Sequence, residues 1–362
     1  MGERKRIDSF DILKSIAIFL VVFCHYTTLS NTVAENFAMT ICFVGVPLFF
    51  MVNGALLLHK PFNLKKHLLK TGSVYVVATV WRVLYLLIDA FKAGTLEQIL
   101  DAKTQTLSYA LLWTNSTFTA PAHMWFIKSL LAIYLIFPLL HICFQKGKEG
   151  KSTLYFLLIL LFVGVNVVTE ADFAISMLKQ YAAFNTTLSA SPLSAFLPYT
   201  SGGMLFYFVL GAVLWEYLSG TDERQTHTIT RKHRVIAAAC FLVSWVIMMW
   251  TKSLDDGTWG WNGVLYSNGY ARIPTFLATV SLFVLCSQLE IRSVFVRRIC
   301  TTVSSCTLGI YYLHWSIAPF VTRCFTSVGL WQNTAKTVVV LTASCLISWA
   351  LGHIPIVRKL VK

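Results

Sequence analysis

Residues 10–26 read FDILKSIAIFLVVFCHY, and this stretch decides the fold because it places ionisable side chains inside a long apolar run. On a helix that turns about 100° per residue, Lys14 and His25 return to within about 20° of one face. Asp11 lies about 40° to the other side of His25 on the same reckoning. Ionisable groups inside a bilayer are costly unless they face a polar cavity or a partner. We therefore predict a transmembrane helix whose polar stripe faces the interior of a helical bundle.

The composition is that of an integral membrane protein. Of the 362 residues, 56% are hydrophobic and only 13% are charged, whereas a soluble domain carries about 25% charged residues. Apolar runs of about 20 residues predict about ten transmembrane helices in one all-α domain over residues 1–362. The predicted spans lie near 11–30, 38–58, 72–91, 123–144, 153–169, 201–219, 234–251, 273–288, 304–326 and 335–353.

The net charge of +14 is explained by topology. Twenty of the 30 lysines and arginines lie in alternate loops and at the two termini. The positive-inside rule then places the N- and C-termini in the cytoplasm, and the basic loops favour anionic membrane lipids over nucleic acid as partners. The nine cysteines are scattered singly, so the spacing predicts neither a metal site nor a disulfide framework.

His25 is the first candidate for catalysis. His25 lies eleven residues beyond Lys14 on the same predicted helix, so it should lie near the middle of the membrane. Lys14 should then lie close to the cytoplasmic end of that helix. An imidazole can accept a proton from an attacking hydroxyl or accept an acyl group itself. Lys14 can bind a phosphate or stabilise developing negative charge. Asp11 completes this predicted catalytic stripe.

Further polar residues within the apolar runs are candidates for substrate binding. Each also has a simpler explanation: packing, a helix-end aromatic belt, or one hydrogen bond to a neighbouring helix. His314 should reach a depth similar to that of His25 in the ninth span, and His123 opens the fourth span from the outer side. The candidates are Asn53, His123, Trp125, Tyr311 and His314.

The segment KKHLLK after the second span is a candidate for binding a phosphorylated cofactor. Lys66, His67 and Lys70 share one helical face at the cytoplasmic surface. A basic cluster at the cytoplasmic surface is typical of a segment whose positive charge sets the orientation of the protein in the membrane. Phosphate binding is the second interpretation of this cluster.

Five segments carry a resemblance to a known family: FDILKSIAIFLVVFCH (10–25), GVPLFFMVNGALL (45–57), HMWFIKSLLAIYLIFPLL (123–140), YFVLGAVL (207–214) and SSCTLGIYYLHW (304–315). Together they resemble the membrane-bound acyltransferase 3 family, in the family's order and over nearly the whole chain. Within that family, the chain is similar in particular to short bacterial surface-polysaccharide O-acetyltransferases, of the kind that modify enterobacterial common antigen.

The resemblance implies a bacterial inner-membrane enzyme that transfers acetyl groups from cytoplasmic acetyl-CoA to a hydroxyl of a cell-surface or lipid-linked glycan. By motif position, His25 is the catalytic histidine, and Lys14 stands where the family often has arginine. His67 and Lys70 stand where the family often has a pair of arginines, and Asn53 replaces a common serine. Transfer of a larger acyl group such as succinyl, and a proton-coupled secondary transporter, remain alternatives at this stage.

Overall fold

The computed structural model consists of helices joined by turns and short connections over the residues it describes, which are 7–26, 38–113, 121–181, 203–219, 229–255, 269–325, 327, 329–355 and 357–361. The helices are α1 Asp8–Tyr26, α2 Gly45–Leu58, α3 Leu64–Ala93, α4 Leu96–Asp101, α5 Lys103–Leu107, α6 Trp125–Gln145, α7 Gly147–Leu161, α8 Val168–Tyr181, α9 Met204–Ser219, α10 Arg231–Asp255, α11 Ile273–Cys286, α12 Val294–Arg323, α13 Leu330–Leu351 and α14 Arg358–Val361.

The all-helical membrane class predicted from the sequence is confirmed. Each of the ten predicted spans contains a helix, and α9 and α11 are shorter apolar helices. Six segments of the described chain are both long and apolar enough to cross a bilayer. These six are Ala38–Leu58, Leu64–Ala93, Ala122–Gln145, Glu149–Lys179, Arg231–Lys252 and Leu330–Leu351. The count of ten crossings and the cytoplasmic termini stay predictions.

Proline and capping residues set several helix boundaries. A 3-10 turn at Cys42–Val44 precedes α2, and Pro47 lies in the first turn of that helix. Because proline has no N–H group, it cannot donate to the carbonyl four residues earlier, and it is tolerated best at a helix start. Asn63 caps α3 by accepting from the Lys66 backbone N–H over 2.9 Å. Gly94 ends the same helix in the left-handed conformation, with φ of 68°.

Two glycines let α2 and α9 approach each other at backbone contact. A Cβ atom on Gly54 would lie 1.8 Å from the Phe208 carbonyl oxygen, and one on Gly211 would lie 2.2 Å from the Met51 carbonyl oxygen. Small residues at such a crossing are typical of membrane helix packing, where close backbone contact replaces the hydrophobic effect. The α2–α9 pair is therefore closely packed. It lies beside α1, which packs on α2 and on α12.

The fifth predicted span continues further than its apolar run. α7 passes through a π-helical stretch at Phe162–Val167 into α8. There Glu170 accepts two hydrogen bonds from Arg272, at 2.8 and 3.1 Å, and a third from the Ile273 backbone N–H at 2.8 Å. The ion pair joins α8 to the start of α11, which accounts for a charged residue on a helix in this part of the bundle.

Arg82, which lies inside the third predicted span, packs against aromatic residues. Its guanidinium lies 4.3 Å from the Tyr109 ring centroid and 5.3 Å from that of Trp113, and it donates to the Tyr109 carbonyl over 3.2 Å. Cation–π contacts of this kind stabilise a desolvated charge. Arg82 thereby holds the segment after α5 against α3.

Candidate active site

A cavity of about 460 Å³ opens between α1, α2, α3, α6 and α12. Its lining is mixed, with apolar side chains around a smaller set of polar groups, which is typical of a small-molecule site. Seven of the residues that the sequence singled out border it: Lys14, His25, Asn53, Lys70, His123, Trp125 and Tyr311. Residues from five separate stretches of sequence are thus brought around one space.

Three histidines form a cluster at one part of this site. The ring centroids lie 6.1 Å apart for His25 and His123, 5.4 Å for His25 and His314, and 5.2 Å for His123 and His314. His314 is fully buried behind the cavity wall, and its Nδ1 lies 3.0 Å from the Ile310 carbonyl oxygen. Since a carbonyl only accepts, Nδ1 carries the ring proton of a neutral His314.

Aromatic residues enclose the histidine cluster. The Trp315 ring centroid lies 5.7 Å from that of His25 and 4.9 Å from that of His123. Trp125 contacts Tyr270 with centroids 5.3 Å apart, and both of these rings border the cavity. Apolar surroundings strengthen the electrostatic interactions of any polar group held inside them.

Two tyrosines hold the turn that carries His123. The Tyr311 hydroxyl donates to the His123 backbone carbonyl over 2.7 Å. The Tyr85 hydroxyl lies 3.4 Å from His123 Nε2 and 2.5 Å from the Tyr312 carbonyl oxygen. Tyr85 and Trp315 were not predicted as site residues, because the spacing of residues along its own helix does not single out either of them.

The part of the cavity lining away from the histidine cluster is cationic. Lys14 on α1 and Lys70 on α3 both border it, together with hydroxyl groups of Ser73 and Ser304. The Lys70 Nζ atom lies 5.9 Å from the centroid of the Tyr134 ring. Lys14 precedes His25 by eleven residues on one helix, so about 16 Å of helix axis separates the two levels. Ammonium and hydroxyl groups together suit a phosphate or another oxyanion.

Besides His314, three predicted site residues lie outside the cavity lining. Asp11 is buried against α12, where it accepts from the Thr301 hydroxyl over 3.4 Å. The Nε2 atom of His67 lies 2.7 Å from the Tyr134 carbonyl oxygen, and its ring stacks on Phe137. Lys66 is exposed on the surface of α3. Residues that spacing predicts on one helix face therefore differ in their surroundings: some border the cavity, and others contact neighbouring helices or lie on the surface.

In the described part of the chain, no group of three or more His, Cys, Asp or Glu side chains is arranged to hold a metal ion. The residues that line the cavity carry imidazole, ammonium and hydroxyl groups, together with the Asn53 amide and the thiols of Cys24 and Cys42. A neutral imidazole can serve as a general base or as a nucleophile toward an acyl carbon. The lysines of the same cavity can bind an anionic substrate.

The fold and the cavity define a polytopic membrane protein with a histidine-bearing site inside its helical bundle. A family model described as an acyltransferase domain, that of the acyltransferase 3 family, matches residues 7–353. The chain belongs to this family, and it is therefore a multi-pass membrane acyltransferase that requires an acyl donor and an acceptor. No curated protein and no solved structure matches the chain.

Proposed function

We propose that the protein is an O-acetyltransferase that moves an acetyl group from cytoplasmic acetyl-CoA to a hydroxyl of a cell-surface or lipid-linked glycan. The observation that carries the proposal is the polarity of the cavity, which has Lys14 and Lys70 at one part of its wall and His25 and His123 at another. A donor with a phosphorylated end and a neutral reactive end matches this order of charges. The bacterial inner membrane is the location that the family resemblance implies.

The lysines form the donor-binding part of the proposed site. The sequence predicted Lys14, Lys66, His67 and Lys70 as contacts for coenzyme phosphates. We assign this contact to Lys14 and Lys70, because both border the cavity, whereas His67 is engaged by α6 and Lys66 is not among the lining residues. Each lysine acts as a point charge rather than as the bidentate fork that arginine offers.

The acceptor hydroxyl is proposed to meet the donor at the histidine cluster. His123, Trp125 and Tyr311 line this region, and Asn53 adds an amide on α2. Aromatic walls with a few polar groups are suited to a sugar, which presents both an apolar ring face and hydroxyl groups.

His25 is the proposed catalytic histidine, with two forms of mechanism. In the first it takes the proton from the acceptor hydroxyl as that oxygen attacks the thioester. In the second it carries the acetyl group as an acyl-imidazole and then passes it to the acceptor. Both forms require the thioester to reach His25 from the lysine part of the cavity.

A longer acyl donor such as succinyl-CoA is the second candidate within the same family. Its additional carboxylate would need a cation near the histidine cluster, whereas the cations that border the cavity are Lys14 and Lys70. The transporter alternative loses its support because the chain belongs to an acyltransferase family.

The test uses purified protein in lipid vesicles with acetyl-CoA on one side. The surface glycan of a host with and without the gene is compared by mass, and the extract lacking the modification is then used as acceptor. We expect one acetyl group to be gained per modified sugar, with free CoA released in equal amount. His25→Ala should abolish transfer, and His141→Ala is the matched control, because His141 is a buried histidine that lies outside the cavity lining. Transfer by His25→Ala near the wild-type rate would refute the proposal.

A further inference from the structure

The Tyr85 hydroxyl determines which nitrogen of His123 carries a proton. This hydroxyl lies 2.5 Å from the Tyr312 carbonyl oxygen and 3.4 Å from His123 Nε2. A carbonyl oxygen can only accept, so the single hydroxyl proton of Tyr85 is donated to Tyr312. The same hydroxyl oxygen must then accept from His123, which requires a proton on Nε2.

A neutral imidazole with a proton on Nε2 has its lone pair on Nδ1. In His123 this Nδ1 atom is buried and has no hydrogen-bond partner among the residues that the structure describes. His123 is only 1% exposed, yet it is one of the residues that border the cavity. An unsatisfied buried acceptor costs free energy, and where it belongs to a residue that borders a cavity, use by a ligand or a reaction explains why it is kept.

The backbone of His123 is held as firmly as its ring. Tyr311 donates to its carbonyl oxygen over 2.7 Å, and the Trp315 ring lies 4.9 Å away between centroids. A general base needs such positioning, because proton transfer depends on the direction of the accepting lone pair.

We propose that His123 is the base that takes the proton of the acceptor hydroxyl, that Tyr85 positions it for this task, and that His25 carries the acyl group. The inference rests on the proposed function and chooses between its two mechanisms. The centroids of the two rings lie 6.1 Å apart, which is close enough for a group bonded to the His25 ring to reach the His123 ring.

The first step loads His25. A ring nitrogen of His25 attacks the carbonyl carbon of the thioester, a C–N bond forms and the C–S bond breaks. The departing thiolate takes the proton of the other ring nitrogen, which leaves a free thiol and a neutral acyl-imidazole.

The second step transfers the acyl group. The acceptor oxygen attacks the acyl carbon while its proton moves to His123 Nδ1, and the C–N bond to His25 breaks. His123 returns that proton to the His25 nitrogen as it leaves, so both rings end neutral and the ester is the only new product.

The experiment separates loading from transfer in the full-length protein in vesicles, with labelled acetyl-CoA as the probe. Wild-type protein should retain about one acid-labile label per chain without acceptor, and should release it when acceptor is added. His123→Gln should load at the wild-type rate but transfer at least 100-fold more slowly, because glutamine can still donate to the Tyr85 hydroxyl but offers no base. His25→Ala should neither load nor transfer.

The matched control for His123→Gln is His141→Gln, which keeps a donor for the Lys60 carbonyl and lies outside the cavity lining. It should load and transfer normally. Normal transfer by His123→Gln, or wild-type transfer with no loaded intermediate, would overturn the inference while leaving the proposed acetyltransferase intact. An absence of both loading and transfer in the wild type would instead remove the proposed function itself.

The role of Tyr85 is tested by Tyr85→Phe, which keeps the ring and removes the hydroxyl. We expect transfer to fall about tenfold while the loading rate and the KM for acetyl-CoA stay unchanged. Tyr312→Phe is the control, because the Tyr312 hydroxyl is also buried and makes no hydrogen bond among the described residues. Equal losses of loading and transfer in Tyr85→Phe would mean that Tyr85 only supports the fold, and would overturn its positioning role.

Discussion

The Tyr311 hydroxyl donates a hydrogen bond of 2.7 Å to the backbone carbonyl oxygen of His123. This bond ties α12, which also carries His314, to the 3-10 turn at Ala122–Met124. Tyr311 is 6% exposed and borders the cavity, so the same side chain both supports the turn and faces the site.

Tyr311→Phe should separate these two contributions. Loss of one buried hydrogen bond costs about 1 kcal/mol, so the variant should remain folded with a slightly lower unfolding temperature in detergent. Transfer should fall by more than this stability loss explains, because the turn that carries His123 becomes free to shift. Fluorescence-monitored unfolding and acetyl transfer measure the two effects. Unchanged transfer in a destabilised variant would show that the bond serves only the fold.

Lys14→Met and Lys70→Met should raise the KM for acetyl-CoA about tenfold each, since a charge-assisted hydrogen bond contributes about 1.5–3 kcal/mol. Methionine preserves much of the side-chain length and apolar packing of lysine while removing its charge. Initial rates at varied acetyl-CoA concentration measure the effect.

Lys66→Met is the matched control for these two variants, because Lys66 is an exposed lysine of α3, as Lys70 is, but does not border the cavity. Its KM should equal that of the wild type. A tenfold rise in Lys66→Met together with no change in Lys70→Met would move the donor site out of the cavity and onto the surface of α3.

Gly54→Ala should prevent α2 and α9 from packing. The added Cβ would meet the Phe208 carbonyl oxygen at 1.8 Å, a distance that forces the backbones apart. Overpacking against rigid backbone costs about 3 kcal/mol or more, so the yield of folded protein should fall sharply.

Gly72→Ala provides the comparison for Gly54→Ala, because nothing lies within 4 Å of the position of its Cβ. It should be neutral or stabilise α3 by up to about 1 kcal/mol through helix propensity. Size-exclusion profiles and unfolding temperatures report both variants. Normal folding of Gly54→Ala would contradict the close α2–α9 contact.

Glu170→Gln should destabilise the junction of α8 and α11 by about 3 kcal/mol, because it leaves the charge of buried Arg272 without its carboxylate. The double variant Glu170→Leu with Arg272→Met should recover much of that loss, since it removes both charges together. Unfolding temperatures of the single and double variants measure the coupling. Additive losses in the double variant would show that the pair contributes no coupling energy.

The sequence predicted the helical class and the direction of the α1 stripe because these depend on local periodicity. Apolar runs determine which segments are helical in a membrane, and the spacing between Lys14 and His25 determines that they share a face. Both residues border the cavity, as a polar stripe on a membrane helix requires.

The sequence could not predict in the same way which neighbouring helix packs against each residue along a helix. Asp11 shares the stripe with Lys14 but is covered by Thr301 of α12, and His67 is covered by α6 whereas Lys70 reaches the cavity. Tyr85 was missed for the same reason, since its pairing with His123 depends on how α3 packs against α6 and α12. Such pairings arise from packing between helices rather than from spacing within one helix.

The order of charges along the cavity has a consequence for the permeability of the membrane. Two ammonium groups attract the phosphates of the proposed donor, whereas the far wall offers imidazoles and aromatic rings that cannot replace phosphate hydration. The charged body of such a donor would stay at the lysines while its neutral arm alone reaches the histidines. Group transfer in this arrangement needs no continuous aqueous pore. Only the transferred group would have to cross, so the ion gradients of the cell would stay intact.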